Sequence, residues 1–288
     1  MSRAPRTFAM TPAGRDLLRK DIDAHKYDHG HALVVTGGAG RTGAARLAAR
    51  GALRIGAGLV TLAVPPDAMA EVAGHVTAIM LRGAGDARDL AALLEDHRYN
   101  ALCLGPGLGL APRHTELVAA ILAAGRPTVL DADALTLLAG DAGLTAALHP
   151  ACVLTPHEGE FRRLFPDLAG GLEDKPTGQR AATVREAAAR AGCTVLLKGA
   201  ETLVAGPDGS VTRHPPAADG ALAWLATAGS GDVLAGFILG LLARGIVPQQ
   251  AADLAVWLHR QAARQFGPGL IAEDLPDELP AVFRAIGV

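Results

Sequence analysis

A chain of 288 residues with half its residues hydrophobic and only 3% aromatic must build its core mainly from Ala, Leu and Val. Its 27 basic and 29 acidic side chains nearly cancel and form no persistent Lys/Arg cluster, which speaks against a nucleic-acid surface. The longest apolar stretch of the C-terminal half, residues 233–243, is too short to span a bilayer, so no membrane partner is expected.

The opening segment, MSRAPRTFAMTPAGRDLLRK, has no continuous apolar region of the kind a secretory signal needs. Residues 1–25 read as a polar N-terminal leader, and a soluble cytoplasmic protein is the expectation. Short apolar runs then predict strands at 32–36, 59–64, 76–81, 101–104, 128–130, 152–154 and 194–197. Between them, 43–55, 114–124, 134–139 and 179–191 carry helical patterns. A hairpin follows, with strands at 202–205 and 210–213 around a Pro207-Asp208-Gly209 turn. From Asp232 onward the pattern is wholly helical. Repeated βα units predict an α/β fold: a mainly parallel central sheet, helices on both faces and a small antiparallel addition. No stretch reads as an interdomain linker, so residues 26–288 are expected to form a single domain. Cys103, Cys152 and Cys193 stand singly in apolar runs and read as buried, reduced thiols.

Polar and glycine-rich groups follow directly after the predicted strands, at 37–40, 105–109, 131–133, 155–160 and 198–202. In parallel α/β sheets ligands bind beyond the carboxyl ends of the strands, so these five loops predict one active-site edge. The most informative stretch is 227–236, Thr-Ala-Gly-Ser-Gly-Asp-Val-Leu-Ala-Gly. Val233, Leu234, Phe237, Ile238, Leu241 and Leu242 lie on one helical face, and Gly245 supplies a stop. A glycine-rich turn opening a helix presents unpaired N–H groups and the positive end of the macrodipole, a site for phosphate. Asp232, in the first turn, repels that phosphate and so adds nothing to anion binding. It gains a purpose by taking a proton from a hydroxyl that attacks the phosphate. The plainer alternative is acidic capping of a helix start.

Other motifs admit two readings each. Residues 38–43 match G-x-G-x-x-G after a strand, and Asp67 stands where a ribose-binding acid would, as in a hydride-transferring, NAD-dependent dehydrogenase. A tight strand-to-helix turn explains the same glycines. Lys198, beside Gly199, can meet a nucleotide phosphate, with Thr202 on ribose or phosphate, or it is a solvated lysine at a turn. His157 orients a polar substrate or is a hydrogen-bonded structural group, and Glu160 can cap the helix that follows. Asp131 and Asp133 order water or Mg²⁺ around phosphates, or cap a helix starting at Ala134. His25, His29 and His31 straddle a loop and a strand start, a poor spacing for a metal cluster, and no protein metal ligands are expected.

Taken in order, these motifs resemble the ADP-dependent NAD(P)H-hydrate dehydratases, ribokinase-like proteins that correspond to the carboxy-terminal half of bifunctional nicotinamide-nucleotide repair proteins. The resemblance runs from about Lys26 to Phe283. It includes Gly30-His31, Thr42-Gly43-Ala44-Ala45, residues 54–60, 105–109, 131–135, 155–160, 198–202 and 229–236. Glu158 stands where the family usually has proline, Tyr27 and His29 where Gly and Phe are common, and Ala228 where glycine is frequent.

The resemblance implies a ribokinase-like fold and a carbon–oxygen lyase acting on the 6S hydrate of NADH or NADPH, with ADP as cosubstrate and Mg²⁺. It implies that Ala44, Gly107, Gly109, His157 and Asp232 face the hydrate, with Asp232 catalytic. Lys198, Gly199, Ala200, Glu201, Thr202, Gly229, Ser230 and Gly231 would hold the adenine nucleotide. A homotetramer is implied, as is a separate epimerase in the same pathway, since only about thirty residues precede the first predicted strand. Three rivals are a small-molecule kinase of the hydroxymethylpyrimidine or thiazole type, an NAD-dependent dehydrogenase and a catalytically silent nucleotide-binding regulator.

Overall fold

The apolar runs pair edge to edge into one ten-stranded sheet in the computed structural model, which describes residues 4–172, 174–217 and 220–288. The first three residues of the expected leader lie outside the described residues. In chain order the strands are β1 Arg6–Thr7, β2 His31–Val35, β3 Leu59–Val64, β4 Met80–Gly83 and β5 Tyr99–Leu104, then β6 Thr128–Leu130, β7 Cys152–Leu154, β8 Thr194–Leu197, β9 Thr202–Ala205 and β10 Val211–His214. Across the sheet they run β1-β10-β9-β8-β7-β6-β5-β2-β3-β4. Only β9 is antiparallel to its neighbours, β8 and β10; every other pair is parallel. The mainly parallel sheet with a small antiparallel part is therefore observed.

The helices are α1 Pro12–Leu18, α2 Gly43–Arg54, α3 Met69–Ala73, α4 Ala87–Leu94, α5 Pro112–Ala123 and α6 Asp133–Gly140, followed by α7 Ala142–Ala146, α8 Glu158–Leu164, α9 Thr177–Ala191, α10 Ser230–Ala243, α11 Pro248–Phe266 and α12 Asp274–Ile286. Strand residues alternate between two cores, because successive side chains leave a strand on opposite faces. In β2, Ala32 and Val34 join α2, α10, α11 and α12, whereas Leu33 and Val35 join α5, α6 and α9. Burial on both faces is why these strands are continuous apolar runs in sequence. Among the described residues no helix is long and apolar enough to cross a membrane.

The structure departs from the sequence reading at the periphery. The strand expected at 76–81 lies at Met80–Gly83, with Thr61 opposite Met80 and Val64 opposite Gly83. It is an edge strand and largely uncovered, so no buried run marks its bounds. Part of the expected leader is built into the fold. Arg6 and Thr7 pair with β10, and Leu18 of α1 enters the core.

One helix pair sets the position of the site. On α2, Ala45, Ala48, Ala49 and Ala52 are buried, and α10 meets them with glycines. A Cβ on Gly236 would lie 2.1 Å from the Ala48 carbonyl oxygen, and one on Gly240 would lie 2.4 Å from the Ile55 side chain. The helices run parallel in this close contact. Ala44 and Asp232 each sit one turn before it, on adjacent helix starts.

Candidate active site

The loops beyond the carboxyl ends of the parallel strands lock onto one another. A Cβ on Gly37, after β2, would lie 1.9 Å from the Gly107 carbonyl oxygen, and one on Gly105, after β5, would lie 1.8 Å from that of Asp131. After β8, the Lys198 backbone N–H donates to Pro156 of the loop after β7, at 2.8 Å. The five loops singled out in the sequence thus form one edge. From β2 the chain goes to β3 on one side, and from β5 to β6 on the other, so a topological switch point lies between β2 and β5. Gly107, Gly109 and Ala44 stand at that crevice, and a Cβ on Gly107 would touch Ala44 at 3.5 Å.

The start of α10 forms the next part. Gly229 sits at φ +86°, and a Cβ there would lie 2.6 Å from the Leu47 side chain, so both conformation and space require glycine. Ser230 and Gly231 belong to the first helical turn, earlier than the sequence pattern set the start, and first-turn N–H groups have no intrahelical acceptor. Lys198 faces them: a Cβ on Gly231 would lie 3.4 Å from its Nζ. Backbone donors, helix dipole and ammonium converge, an arrangement suited to an anion.

Carboxylates hold that ammonium. Lys198 Nζ donates to Asp131 Oδ1 at 2.8 Å and lies 3.9 Å from Glu160 Oε2. Burial pulls the lysine pKa down, but Asp131 and Glu160 more than offset this and hold it above its ordinary value. Asp232 stands in the same field. Burial first, then repulsion from Asp131, pushes its carboxyl up to about 6, against the pull of Lys198. A half-buried carboxylate titrating there is suited to general-base work near neutral pH.

Asp131 and Asp133 are split by a strained residue. Ala132 has φ +48°, outside the regions that L-residues favour, at about 1–3 kcal/mol. Asp131 turns to Lys198, whereas Asp133 accepts from the Gly109 N–H at 2.7 Å and lies 3.7 Å from Arg41. Neither side chain caps α6.

A cavity of about 690 Å³ opens beside the start of α10. Lys198, Gly199, Ala200, Thr202, Ser230 and Gly231 line it on the polar side, and Leu222, Leu225, Leu234 and Val256 on the apolar side. His157 also lines it, while serving as the cap of α8: its Nδ1 accepts from Gly159 N–H at 2.9 Å, and Glu160 accepts from the His157 N–H at 2.8 Å. The Thr202 hydroxyl donates to the Gly199 carbonyl at 3.3 Å. Glu201 turns away to Arg213, at 3.2 Å, and Thr177, at 3.4 Å. Its side chain is committed to the fold.

The glycine motif at 38–43 is closed by acids. Glu71 accepts from the Gly40 N–H at 2.7 Å and from the Thr42 hydroxyl, and Asp67 from the Ala39 N–H at 3.4 Å. Amides that would bind a pyrophosphate already hold carboxylates, which overturns the dinucleotide-fingerprint reading and the ribose role of Asp67. Among the described residues no group of three or more His, Cys, Asp and Glu side chains could hold a metal ion. His31 bonds Thr61 at 2.8 Å, away from the other two histidines' 3₁₀ turn. The three cysteines are buried and free. Sequence reasoning missed the apolar wall, Arg41 and His259; an isolated histidine within an apolar helical stripe was the only available signal for the last.

This architecture is that of the ribokinase-like α/β proteins. A ribokinase-like superfamily protein from Enterococcus faecalis has the same fold, with a TM-score of 0.76 over 97% of this chain and 95% of that one, at 22% identity. The chain belongs to the NAD(P)H-hydrate dehydratase family, whose model matches residues 32–280. It is 41% identical over 282 residues to the bifunctional NAD(P)H-hydrate repair enzyme Nnr of Moorella thermoacetica, covering 93% of this chain and 52% of the relative. The chain spans about half the length of such bifunctional relatives. It is 40% identical to the ADP-dependent (S)-NAD(P)H-hydrate dehydratase of Neisseria meningitidis serogroup B, covering 84% of this chain and 78% of that one. An ADP/ATP-dependent NAD(P)H-hydrate dehydratase from Bacillus subtilis, crystallized with ATP/Mg²⁺, is 30% identical with a TM-score of 0.79, covering 99% of both chains.

Proposed function

We propose that the chain dehydrates the 6S hydrate of NADH or NADPH, with ADP as phosphoryl donor, and so repairs damaged nicotinamide nucleotides. The observation that carries this reading is Asp232, a half-buried carboxylate whose pKa is pushed up to about 6 in the first turn of a helix whose N-terminus and Lys198 converge on one point. Hydroxide is a poor leaving group, and phosphate is a good one. Asp232 takes the proton of the C6 hydroxyl as that oxygen bonds to the terminal phosphorus of ADP and the bond to AMP breaks. The N–H groups at 229–231 and the Lys198 ammonium stabilise the charge on the phosphoryl oxygens. Phosphate then leaves C6 with its bonding electrons, driven by the ring nitrogen, and loss of a C5 proton restores the reduced ring. The products are NAD(P)H, AMP and phosphate.

In this reading the hydrate lies in the crevice of Ala44, Gly107 and Gly109, and the nucleotide lies in the cavity of Lys198, Gly199, Ala200 and Thr202. His157 stands between hydrate and nucleotide, on the cavity wall. Glu201 contributes by bracing its loop against Arg213 rather than by touching nucleotide. Mg²⁺ supplies charge neutralisation on phosphate oxygens when bound. The residues fit an ion carried by the phosphates and met through water, since Asp131 is taken by Lys198 and no protein cage is present among the described residues. A cytoplasmic homotetramer working alongside a separate epimerase completes the proposal.

Asp232→Asn tests it. Turnover of the hydrate with ADP should fall on the order of 10²–10⁴-fold, as for loss of a general base, while calorimetry finds ADP binding retained. Near-normal turnover would remove Asp232 from the role. A stable phosphorylated product from the native enzyme would instead point to a kinase.

A further inference from the structure

We infer that His259 is a positioning residue for this reaction, fixing the peptide group that presents the Gly231 N–H to the nucleotide phosphate. The inference deepens the dehydratase reading and rests on it. His259 projects from α11, is 5% exposed and lines the same cavity as Ser230, Gly231 and Lys198. Its Nε2 lies 3.0 Å from the Ser230 carbonyl oxygen, and Phe237 meets its ring edge-on at 6.0 Å. A carbonyl only accepts, so the proton sits on Nε2 and the imidazole donates. Burial pushes the ring pKa down to about 4, so the donor is neutral at working pH and adds no charge beside Lys198.

The Ser230 carbonyl and the Gly231 N–H are opposite ends of one planar peptide group. A donor bound at the oxygen fixes the orientation of that plane and polarises the N–H at its other end. The restraint matters here because Ser230 and Gly231 lie in the first helical turn, where N–H groups have no intrahelical acceptor, and flanking glycines at 229 and 231 make that end of the helix the easiest to fray. The imidazole thus acts on phosphate through the peptide group, without contact with the reacting atoms.

The test compares His259→Phe and His259→Leu, which lack the donor, with His259→Gln, which keeps an N–H at similar reach. ADP affinity by calorimetry, KM for ADP, KM for the hydrate and melting temperature are measured for each. Loss of the hydrogen bond should weaken ADP binding and lower kcat/KM for ADP about 5–30-fold in Phe and Leu. KM for the hydrate should stay within about twofold, and Gln should recover most of the loss. Unchanged ADP affinity in a folded Phe or Leu variant overturns the inference. So does a loss in Gln equal to that in Phe, tracking melting temperature alone. If the native chain binds ADP but never dehydrates the hydrate, the dehydratase reading fails. The calorimetric comparison then still decides whether His259 sets phosphate affinity.

Discussion

Asp232 is asked to be ionised in a place that disfavours ionisation, and this conflict is measurable. Because its carboxyl is pushed up to about 6, kcat/KM for the hydrate should rise with pH through about 6 and level off above it. Lys198 pulls that value down, so Lys198→Met should move the rising limb to higher pH while weakening ADP binding. A limb that stays in place would show that Lys198 does not act on Asp232. Stability carries the opposite sign. The folded-state carboxyl titrates above its unfolded value of about 3.9, so ionised Asp232 destabilises the fold fully above pH 6 and not below pH 4. Asp232→Asn should therefore stabilise the protein at pH 7.5 by about 1–3 kcal/mol in a denaturant titration, with no gain at pH 4. The candidacy of this residue was legible in sequence because glycines, acid and helix start are contiguous. Its modulators were not. Lys198 and Asp131 are 67 positions apart, and no local pattern signals that the lysine's first partner is a carboxylate.

Between elements, the α2–α10 contact sets the distance from the crevice of Ala44 and Gly107, the proposed hydrate site, to Asp232, the proposed general base. Gly236→Ala drives a methyl into the Ala48 carbonyl and forces the helices apart. A loss of about 1–3 kcal/mol is expected in chemical denaturation, with a fall in kcat as Asp232 moves from the crevice. Gly140→Ala, at the end of α6 where nothing lies within 4 Å of an added Cβ, should be neutral or slightly stabilising. Equal effects at the two positions would deny the contact its special place. The buried strands could be read as continuous apolar runs, since helices cover both faces. β1 could not, because so short an edge strand lacks such a run, and β4, an edge strand left largely uncovered, was read with its bounds displaced. Likewise α4 shows only Leu90 and Leu94 on its buried face, too brief a pattern to stand out.

At the scale of the whole molecule, strand order gathers separate loops at one edge of the sheet, the candidate site. Placing β2 beside β5 opens the crevice proposed for the hydrate, and the run from β6 to β8 carries Asp131, His157 and Lys198 toward the start of α10. The loops could be nominated from sequence because each follows a strand, whereas the acids that close the 38–43 turn come from the next βα connection and left no mark near it. Light scattering should find a homotetramer; a monomer at assay concentration would remove that part of the proposal. The most direct test follows the oxygen. The hydrate is prepared with ¹⁸O in its C6 hydroxyl and converted with ADP and Mg²⁺. Transfer through phosphoryl attack predicts the label in inorganic phosphate, one atom per NADH restored. Label appearing in water, with unlabelled phosphate, would contradict it.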